Sequence, residues 1–503
     1  MPLLKNRSTR AAPFVPRASG LPPFNPRRVC AAILALGLSA CASVGPDYRT
    51  PTPVEYPVWQ SQAADSVSRP ATPALLARWW QQFDDPSLNA LVDAALSGST
   101  DLQSALARLE EVRARRGLTK AGQLPEIDAS ANARNQASRP NDQTLTTRSY
   151  SASADLSWEI DLFGGKRRAV EAAEADVDAA QADLYAARVS LVAAVASAYI
   201  DLRTAENRLA VLQATLASRD ETDQITRWRE QAGLTSTLDV AQSKSSLEQA
   251  RAALPSVERS ISEARNQLAL LAGKPPGAID GLVGPRRALP DFQFALGLGI
   301  PAQTLQQRPD LVAAERQLAA ATARVGEAEA ARYPKLVLSG SIGVDALSAG
   351  DLFRPEAVLA SIAGGLSAPI FDAGRIKQSI AIQNALQQQA LITWQASVLT
   401  ALSEVENALV AWRTTNTRLA SLDTATAAAS EAEQLASQRY KAGLIDLSIL
   451  LDTQRTLLSL QDQQTSAQGE RAKALVNLYK ALGGGWSPEA AGKTPAVGDS
   501  ING

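Results

Sequence analysis

The stretch Tyr150-Ser151-Ala152-Ser153-Ala154-Asp155-Leu156-Ser157-Trp158 alternates apolar or small residues with polar ones. A period of two predicts a β-strand with one apolar and one polar face. Soon afterwards, from Lys166 to Arg229, the chain contains neither Gly nor Pro. Apolar residues recur there every seven positions, a spacing typical of a helix that supercoils against its neighbours: Val170, Val177, Leu184 and Leu191. A strand with one apolar and one polar face, followed by a very long helix, indicates the fold class.

The same order of elements occurs a second time later in the chain. A shift of 209 residues pairs Asp101-Leu102 with Asp310-Leu311, and it also pairs Gly117 with Gly326. Further on, a shift of 210 pairs Ala232-Gly233-Leu234 with Ala442-Gly443-Leu444. Ordered matches of this kind indicate internal duplication. We therefore predict two copies of one unit, a helix, two strands, a long helix and a further helix, over residues 96–304 and 305–486.

Each copy has predicted boundaries. In the first, strands are expected at about 127–137 and 149–160, and the long helix at 166–229. In the second, strands are expected at about 335–346 and 356–370, and the long helix at 375–441. Residues 87–121 and 303–332 are predicted to form the helices before the strands, since Pro125 and Pro334 push the preceding residue out of the helical conformation.

The N-terminus has the pattern of a secretory signal. Arg27-Arg28 precedes the apolar run 29–38, and small residues follow in Leu38-Ser39-Ala40-Cys41. This ending resembles a bacterial lipobox, which makes Cys41 the expected lipidation site; the alternative is an ordinary signal peptide with an incidental Cys. We therefore expect residues 1–40 to be a signal peptide with a dispensable extension, 41–95 a lipid-anchored segment, and 487–503 a flexible tail.

The composition excludes several classes of function. The chain has 50 Lys+Arg against 51 Asp+Glu, so nothing suggests the basic face of a nucleic-acid-binding protein. It contains no His, which excludes His-ligated metal sites and His-dependent catalytic triads. Its two Cys, Cys30 and Cys41, both lie near the N-terminus, so the body of the chain has no Cys-rich metal site. We expect neither an enzyme nor a cofactor, apart from the lipid on Cys41.

If the chain spans a membrane, strands are expected to do so. We find no continuous apolar run of 18 residues, and thus expect no transmembrane helix. Four strands cannot close into a barrel, and an open sheet edge in lipid leaves backbone groups without partners. Several copies must then combine their strands. Two copies give eight strands and three give twelve, and the sequence alone does not fix the number.

Five stretches resemble blocks of the TolC-type outer-membrane factor family, in its NodT-like lipoprotein branch. Their order and spacing carry the resemblance, which covers residues 41 to about 486. The stretches are Cys41-Ala42-Ser43-Val44-Gly45-Pro46-Asp47-Tyr48-Arg49, Trp79-Trp80-Gln81-Gln82-Phe83-Asp84-Asp85-Pro86, Asp161-Leu162-Phe163-Gly164-Gly165-Lys166, Arg308-Pro309-Asp310-Leu311 and Pro369-Ile370-Phe371-Asp372-Ala373-Gly374-Arg375.

The resemblance implies a mainly α fold with membrane β-structure, in which a homotrimer forms a twelve-stranded β-barrel and a long α-helical barrel. It implies a passive exit duct for small molecules such as drugs, located in the outer membrane of a Gram-negative bacterium. A periplasmic adaptor protein and an inner-membrane pump, of the resistance–nodulation–division type, would feed this duct.

The resemblance also implies two groups of functional residues. The turns containing Gly233-Leu234 and Gly443-Leu444 match the periplasmic tips that dock the adaptor, although a Gly after a helix also suits an ordinary cap. Asp452 and Arg455 match the acidic and basic residues of a periplasmic gate, although an i, i+3 ion pair is usually only a solvated one. Ser448 stands where relatives place a bulky apolar gate residue, which implies a leakier or differently sealed aperture.

Two other functions fit part of the pattern. A lipid-anchored coiled-coil scaffold without a pore explains Cys41 and the heptads, but not the four strands in duplicated positions. A type I secretion exit channel shares the expected architecture.

Overall fold

The computed structural model describes residues 43–52, 59, 69–70, 76–139, 145–287, 289, 296–297, 305 and 307–486. Cys41 and the predicted tail 487–503 lie outside the described residues. The first repeat contains α1 (Pro86–Gly98), α2 (Thr100–Ala121), β1 (Glu126–Ser138), β2 (Leu145–Ile160), α3 (Gly165–Gln231) and α4 (Thr237–Leu271). The second contains α5 (Pro309–Ala330), β3 (Lys335–Ala346), β4 (Val358–Ser367), α6 (Arg375–Lys441) and α7 (Leu447–Ala481).

Short elements complete the described chain. Trp79–Phe83 forms a 3₁₀ helix before α1, and Asp280–Val283 forms a single helical turn after α4. Arg69–Pro70 pairs in parallel with Leu296–Gly297.

The two repeats have matching helices. The helix before the strands has 22 residues in both copies, the long helix 67, and the last helix 35. At a rise of about 1.5 Å per residue, each long helix extends roughly 100 Å. The predicted mainly α fold with a small sheet and a duplicated unit is confirmed.

Four predicted boundaries were wrong. The strand predicted at about 149–160 begins earlier, at Leu145, because it pairs with β1 as far as Ser138. Residues 87–121 form two helices because Ser99 leaves the helical conformation, with ψ 127°. At this break the carbonyl of Ala272 approaches Gly98 so closely that a Cβ on Gly98 would lie 2.5 Å from it. The helix predicted at 303–332 begins at Pro309, which suits a first helical position because it lacks an N–H. The strand predicted at 356–370 is shorter at both ends. A 3₁₀ turn occupies Pro355–Ala357, and at the other end Ser367 pairs with Lys335, the first residue of the partner strand β3.

The sheet is antiparallel, with the order β1-β2-β3-β4. Its register sorts side chains by polarity across all four strands. One row pairs Ile127, Leu156, Gly340 and Ile362, whereas the next row pairs Asp128, Asp155, Ser341 and Ser361. Because successive residues of a strand point to opposite faces, one face of the sheet is mainly apolar and the other mainly polar.

The main core lies midway along the long helices. Trp79 is fully buried and stacks on Tyr479 of α7, with ring centroids 5.1 Å apart and planes 12° apart. The same core joins segments near both ends of the described chain to the middle of α3 and α6. Its fully or nearly fully buried members include Leu88, Leu91, Val92, Tyr199, Leu202, Leu268, Val405, Val476 and Leu478.

A buried polar network crosses this core. Arg203, which is fully buried, donates to Glu206 Oε2 at 2.7 Å, to Tyr199 Oη at 3.0 Å and to the Val283 carbonyl at 2.6 Å. Tyr199 in turn donates to Asp85 Oδ2. Burial and this carboxylate raise the pKa of Tyr199 to about 12, so its hydroxyl remains a donor at neutral pH.

Residues 43–50 lie across the junction between the sheet and the helices. The backbone N–H of Val44 donates to the carbonyl of Phe163 at 3.1 Å. Buried Arg168 donates from Nε to the Val44 carbonyl at 3.2 Å and from Nη2 to Asp47 Oδ1 at 2.7 Å. These bonds fasten the start of the described chain to α3.

The long helix α3 contains an 18-residue window with a mean hydropathy of 1.3. By length and composition it could cross a membrane, which corrects the expectation that the chain has no such segment. Alanines raise the hydropathy here without a continuous run of large apolar residues. Half of the window is buried inside the fold, as in the core helix of a soluble protein, so it is weak evidence for a membrane span.

We predict opposite effects on stability for alanine at the paired glycines Gly117 and Gly326. A Cβ at Gly326 would lie 2.9 Å from the Val44 carbonyl, and a Cβ at Gly45 would lie 2.3 Å from Gly326 Cα, so Gly326→Ala should displace residues 43–50. Gly117 has no such neighbour within 4 Å, and alanine in a helix interior gains about 0.5–1 kcal/mol over glycine. Thermal unfolding measures both changes, and an equal loss of stability in the two variants would contradict the close contact.

Candidate functional site

Two turns at the end of the molecule opposite the sheet connect each long helix to the following helix. Gly233 ends α3 with φ +71°, and Gly443 ends α6 with φ +76°. In both turns the next residue donates back into the helix: Leu234 N to Arg229 O at 2.8 Å, and Leu444 N to Arg439 O at 2.9 Å. Glycine favours this left-handed conformation because it has no Cβ, so the capping role predicted for both glycines is confirmed.

The turns present apolar side chains to solvent. Leu234 is 69% exposed and Leu444 73% exposed. Trp228, Leu238 and Ile449 are further exposed apolar residues near these turns. Apolar groups gathered at an exposed end are typical of a surface that binds a partner.

The two turns are fastened to each other. Arg229 Nη1 donates to the Tyr440 carbonyl at 2.8 Å, and its guanidinium lies 4.8 Å from the centroid of the Tyr440 ring. The Tyr440 hydroxyl also bonds to buried Thr226 Oγ1 at 2.8 Å. Since Arg229 and Thr226 belong to α3 and Tyr440 to α6, the turns form one rigid tip.

The three predicted gate residues lie on one exposed side of α7, near this tip. Ser448, Asp452 and Arg455 line a common groove of about 760 Å³ between α7 and α4. Arg455 Nη1 donates to Asp452 Oδ1 at 3.2 Å, and both side chains are 73% exposed. The structure thus brings these three residues together in one groove.

The sequence analysis missed Arg219 of α3, which lines the same groove although it is only 7% exposed. Its Nη1 donates to the carbonyl of Ser246 on α4 at 2.7 Å. Burial, and to a lesser extent the positive charge of Arg455, lower the pKa of its guanidinium. The signal lay in the heptads, because Arg219 interrupts a buried series with seven-residue spacing: Ala198, Ala205, Leu212, Arg219 and Thr226.

Gln454 was also missed. It is 4% exposed, on the side of α7 opposite Asp452, and its Nε2 donates to Ser218 Oγ at 3.2 Å and Thr222 Oγ1 at 3.1 Å on α3. These bonds fix the rotation of α7 about its axis, which holds Asp452 and Arg455 in the groove.

Over the described ranges, no group of three or more Cys, Asp or Glu side chains is arranged to hold a metal ion. What the arrangement offers instead is a charged groove beside an apolar, rigid tip.

Known proteins share this architecture over most of the chain. Residues 91–274 and 300–484 match the family model described as outer membrane efflux protein. The chain is 33% identical to the pyoverdine export outer membrane protein OpmQ of Pseudomonas putida, over 92% of this chain and 99% of that one. It is 32% identical to nodulation protein T of Rhizobium leguminosarum bv. trifolii, over 91% of this chain and 97% of that one.

A solved structure, that of the outer-membrane channel OprN, superposes with a TM-score of 0.83 at 35% identity, covering 88% of this chain and all of that one. The resemblance to the outer-membrane factors and their NodT-like branch is confirmed. The chain therefore belongs to the outer membrane efflux protein family and serves as the outer-membrane exit duct of an efflux system.

Proposed function

We propose that three copies of this chain form a tripartite system's duct, with a twelve-stranded barrel in the outer membrane and the helices in the periplasm. The observation that carries this proposal is the register of the sheet, which gathers mainly apolar residues on one face and mainly polar residues on the other across all four strands. An apolar face suits lipid and a polar face suits a water-filled lumen. Both edge strands, β1 and β4, would pair with neighbouring copies.

The proposed lipid anchor would act beside this barrel. The described chain begins at Ser43, whose Cα would lie 2.8 Å from a Cβ on Gly164, at the junction of β2 and α3. A lipid on Cys41, two residues earlier, would enter the membrane next to the sheet. One lipid chain binds a membrane only marginally, so it would assist the strands.

The remaining partners follow from the tip. Leu234 and Leu444 would dock a periplasmic adaptor, which connects the duct to an inner-membrane pump of the resistance–nodulation–division type. The pump would supply the energy, and the duct itself would perform no catalysis and need no cofactor other than the lipid. Its cargo would be small molecules such as drugs, and the relative named for pyoverdine export supports an export role.

The barrel is tested with two neighbouring residues of β3. Ile342→Lys places a charge on the apolar face, which costs about 2–4 kcal/mol at the middle of a bilayer, whereas Ser341→Lys places it on the polar face. The measurement is the oligomeric mass of the protein extracted from outer membranes. We expect the mass of three chains for the wild type and for Ser341→Lys, and loss of this trimer for Ile342→Lys.

Labelled palmitate added to the same cells should enter the protein, and Cys41→Ser should abolish this incorporation. A monomer in the wild type, or equal tolerance of both lysines, would contradict the barrel.

The gate is tested by conductance in planar bilayers. Asp452→Ala and Arg455→Ala should each raise the conductance, because either change removes the 3.2 Å ion pair. Ser448→Leu should lower it by filling the groove. Asp462→Ala is the matched control. Asp462 lies further along α7, and it forms an exposed ion pair with Arg208 of α3. Unchanged conductance in the first two variants would refute the gate.

The docking surface is tested in cells that carry the cognate pump and adaptor. Leu234→Glu combined with Leu444→Glu should abolish drug resistance without altering the oligomeric mass, because it replaces the exposed apolar groups of the tip. Gln231→Glu adds charge at the same tip without removing an apolar group, and should leave resistance unchanged. Full resistance in the double variant would place the adaptor elsewhere.

A further inference from the structure

The described part of the chain buries four arginines, and three of them have carboxylate partners. Arg168 pairs with Asp47 and Glu171, Arg203 with Glu206, and Arg308 with Asp310 and Glu404. The fourth, Arg219, has no carboxylate within ion-pair distance among the described residues. A buried charge without an opposite charge is strongly unfavourable, so this exception calls for a compensating group.

The bonds of Arg219 leave donors available. Its Nη1 reaches only a backbone carbonyl, that of Ser246, and its Nε is buried with no acceptor in the described structure. The carboxylate one helical turn further, Asp223, is already engaged by Ser243 Oγ at 2.7 Å and Arg227 Nε at 2.8 Å. Among the residues that the structure describes, Arg219 therefore has no carboxylate of its own to pair with.

The groove that Arg219 lines is rich in donors. Arg455 contributes a second guanidinium, and Gln242, Ser245, Gln249 and Ser448 contribute amide or hydroxyl groups. Asp452 is the single acid among the described residues of the lining, and Arg455 already pairs with it. Two guanidiniums and several neutral donors in the lining of one groove match the oxygens of a carboxylate or a phosphate group.

We propose that Arg219 and Arg455 form an anion-binding site in this groove, which takes small solutes bearing a carboxylate or phosphate group. A bound anion competes with Asp452 for Arg455. Occupancy therefore weakens the Asp452–Arg455 pair, and an anionic solute loosens the constriction through which it passes. This last step rests on the proposed gate, whereas the binding site does not.

Binding is tested by calorimetry, with inorganic phosphate titrated into the purified oligomer at constant ionic strength. Arg219→Gln should weaken phosphate binding at least about tenfold, equivalent to about 1.4 kcal/mol. Arg455→Gln should weaken it as well, and because Arg455 is exposed this variant is not expected to disturb folding. Arg251→Gln is the control, since Arg251 lies on α4 close to Ser246 but pairs with Glu248 in solvent.

Three results would overturn the site: no phosphate binding by the wild type, equal weakening in the Arg251→Gln control, or loss of the oligomer in Arg219→Gln with phosphate affinity unchanged in Arg455→Gln. The last would mean that an acid of a neighbouring copy compensates Arg219.

Conductance in phosphate and in chloride then tests the coupling separately. Phosphate binding without a phosphate-dependent rise in conductance would refute the coupling while leaving the site, and a failed gate would leave the calorimetric result intact.

Discussion

The architecture depends on one constraint, which is that the four-stranded sheet has an apolar face and two unpaired edges. Backbone groups at an edge need hydrogen-bond partners, and an apolar face needs lipid or protein against it. A single chain in water meets neither need. Both needs are met at once when copies join edge to edge. The duplication within the chain follows the same logic, since each repeat contributes one hairpin and one pair of long and short helices.

The core midway along the helices gives the long elements a fixed relation to each other. Each long helix has 67 residues, so an error of one residue in how it packs against its neighbours would displace the residues at both of its ends. The stacked pair Trp79 and Tyr479 and the Arg203 network join segments from the beginning, middle and end of the described chain. Buried polar networks of this kind allow one arrangement, because any other leaves donors unsatisfied. The same principle operates near the tip, where Gln454 sets the rotation of α7.

Sequence patterns predicted β3 and α6 to the residue, at Lys335–Ala346 and Arg375–Lys441, because Pro334 and the glycines 374 and 443 mark their ends. They failed at Ser99, where the break in the helix coincides with a close contact between Gly98 and Ala272, a residue far away in sequence. In the candidate site, the capping glycines were predicted from local backbone chemistry. Ser448, Asp452 and Arg455 of the groove were predicted from the family resemblance. Arg219 could have been noticed as a charged residue in the heptad series of α3, but only the packing shows that it is buried. The roles of the tip in docking and of Asp452 and Arg455 in gating stay predictions.

The contact between Gly45 and Gly326 has a consequence for the order in which the protein matures. Residues 43–50 bond to Phe163 and Arg168 of the first repeat, and Tyr48 donates to Glu315 of the second at 2.9 Å. This early segment thus cannot reach its final position until helix α5, more than 250 residues later, has been made. Docking of residues 43–50 therefore requires both repeats, and it reports that they have come together.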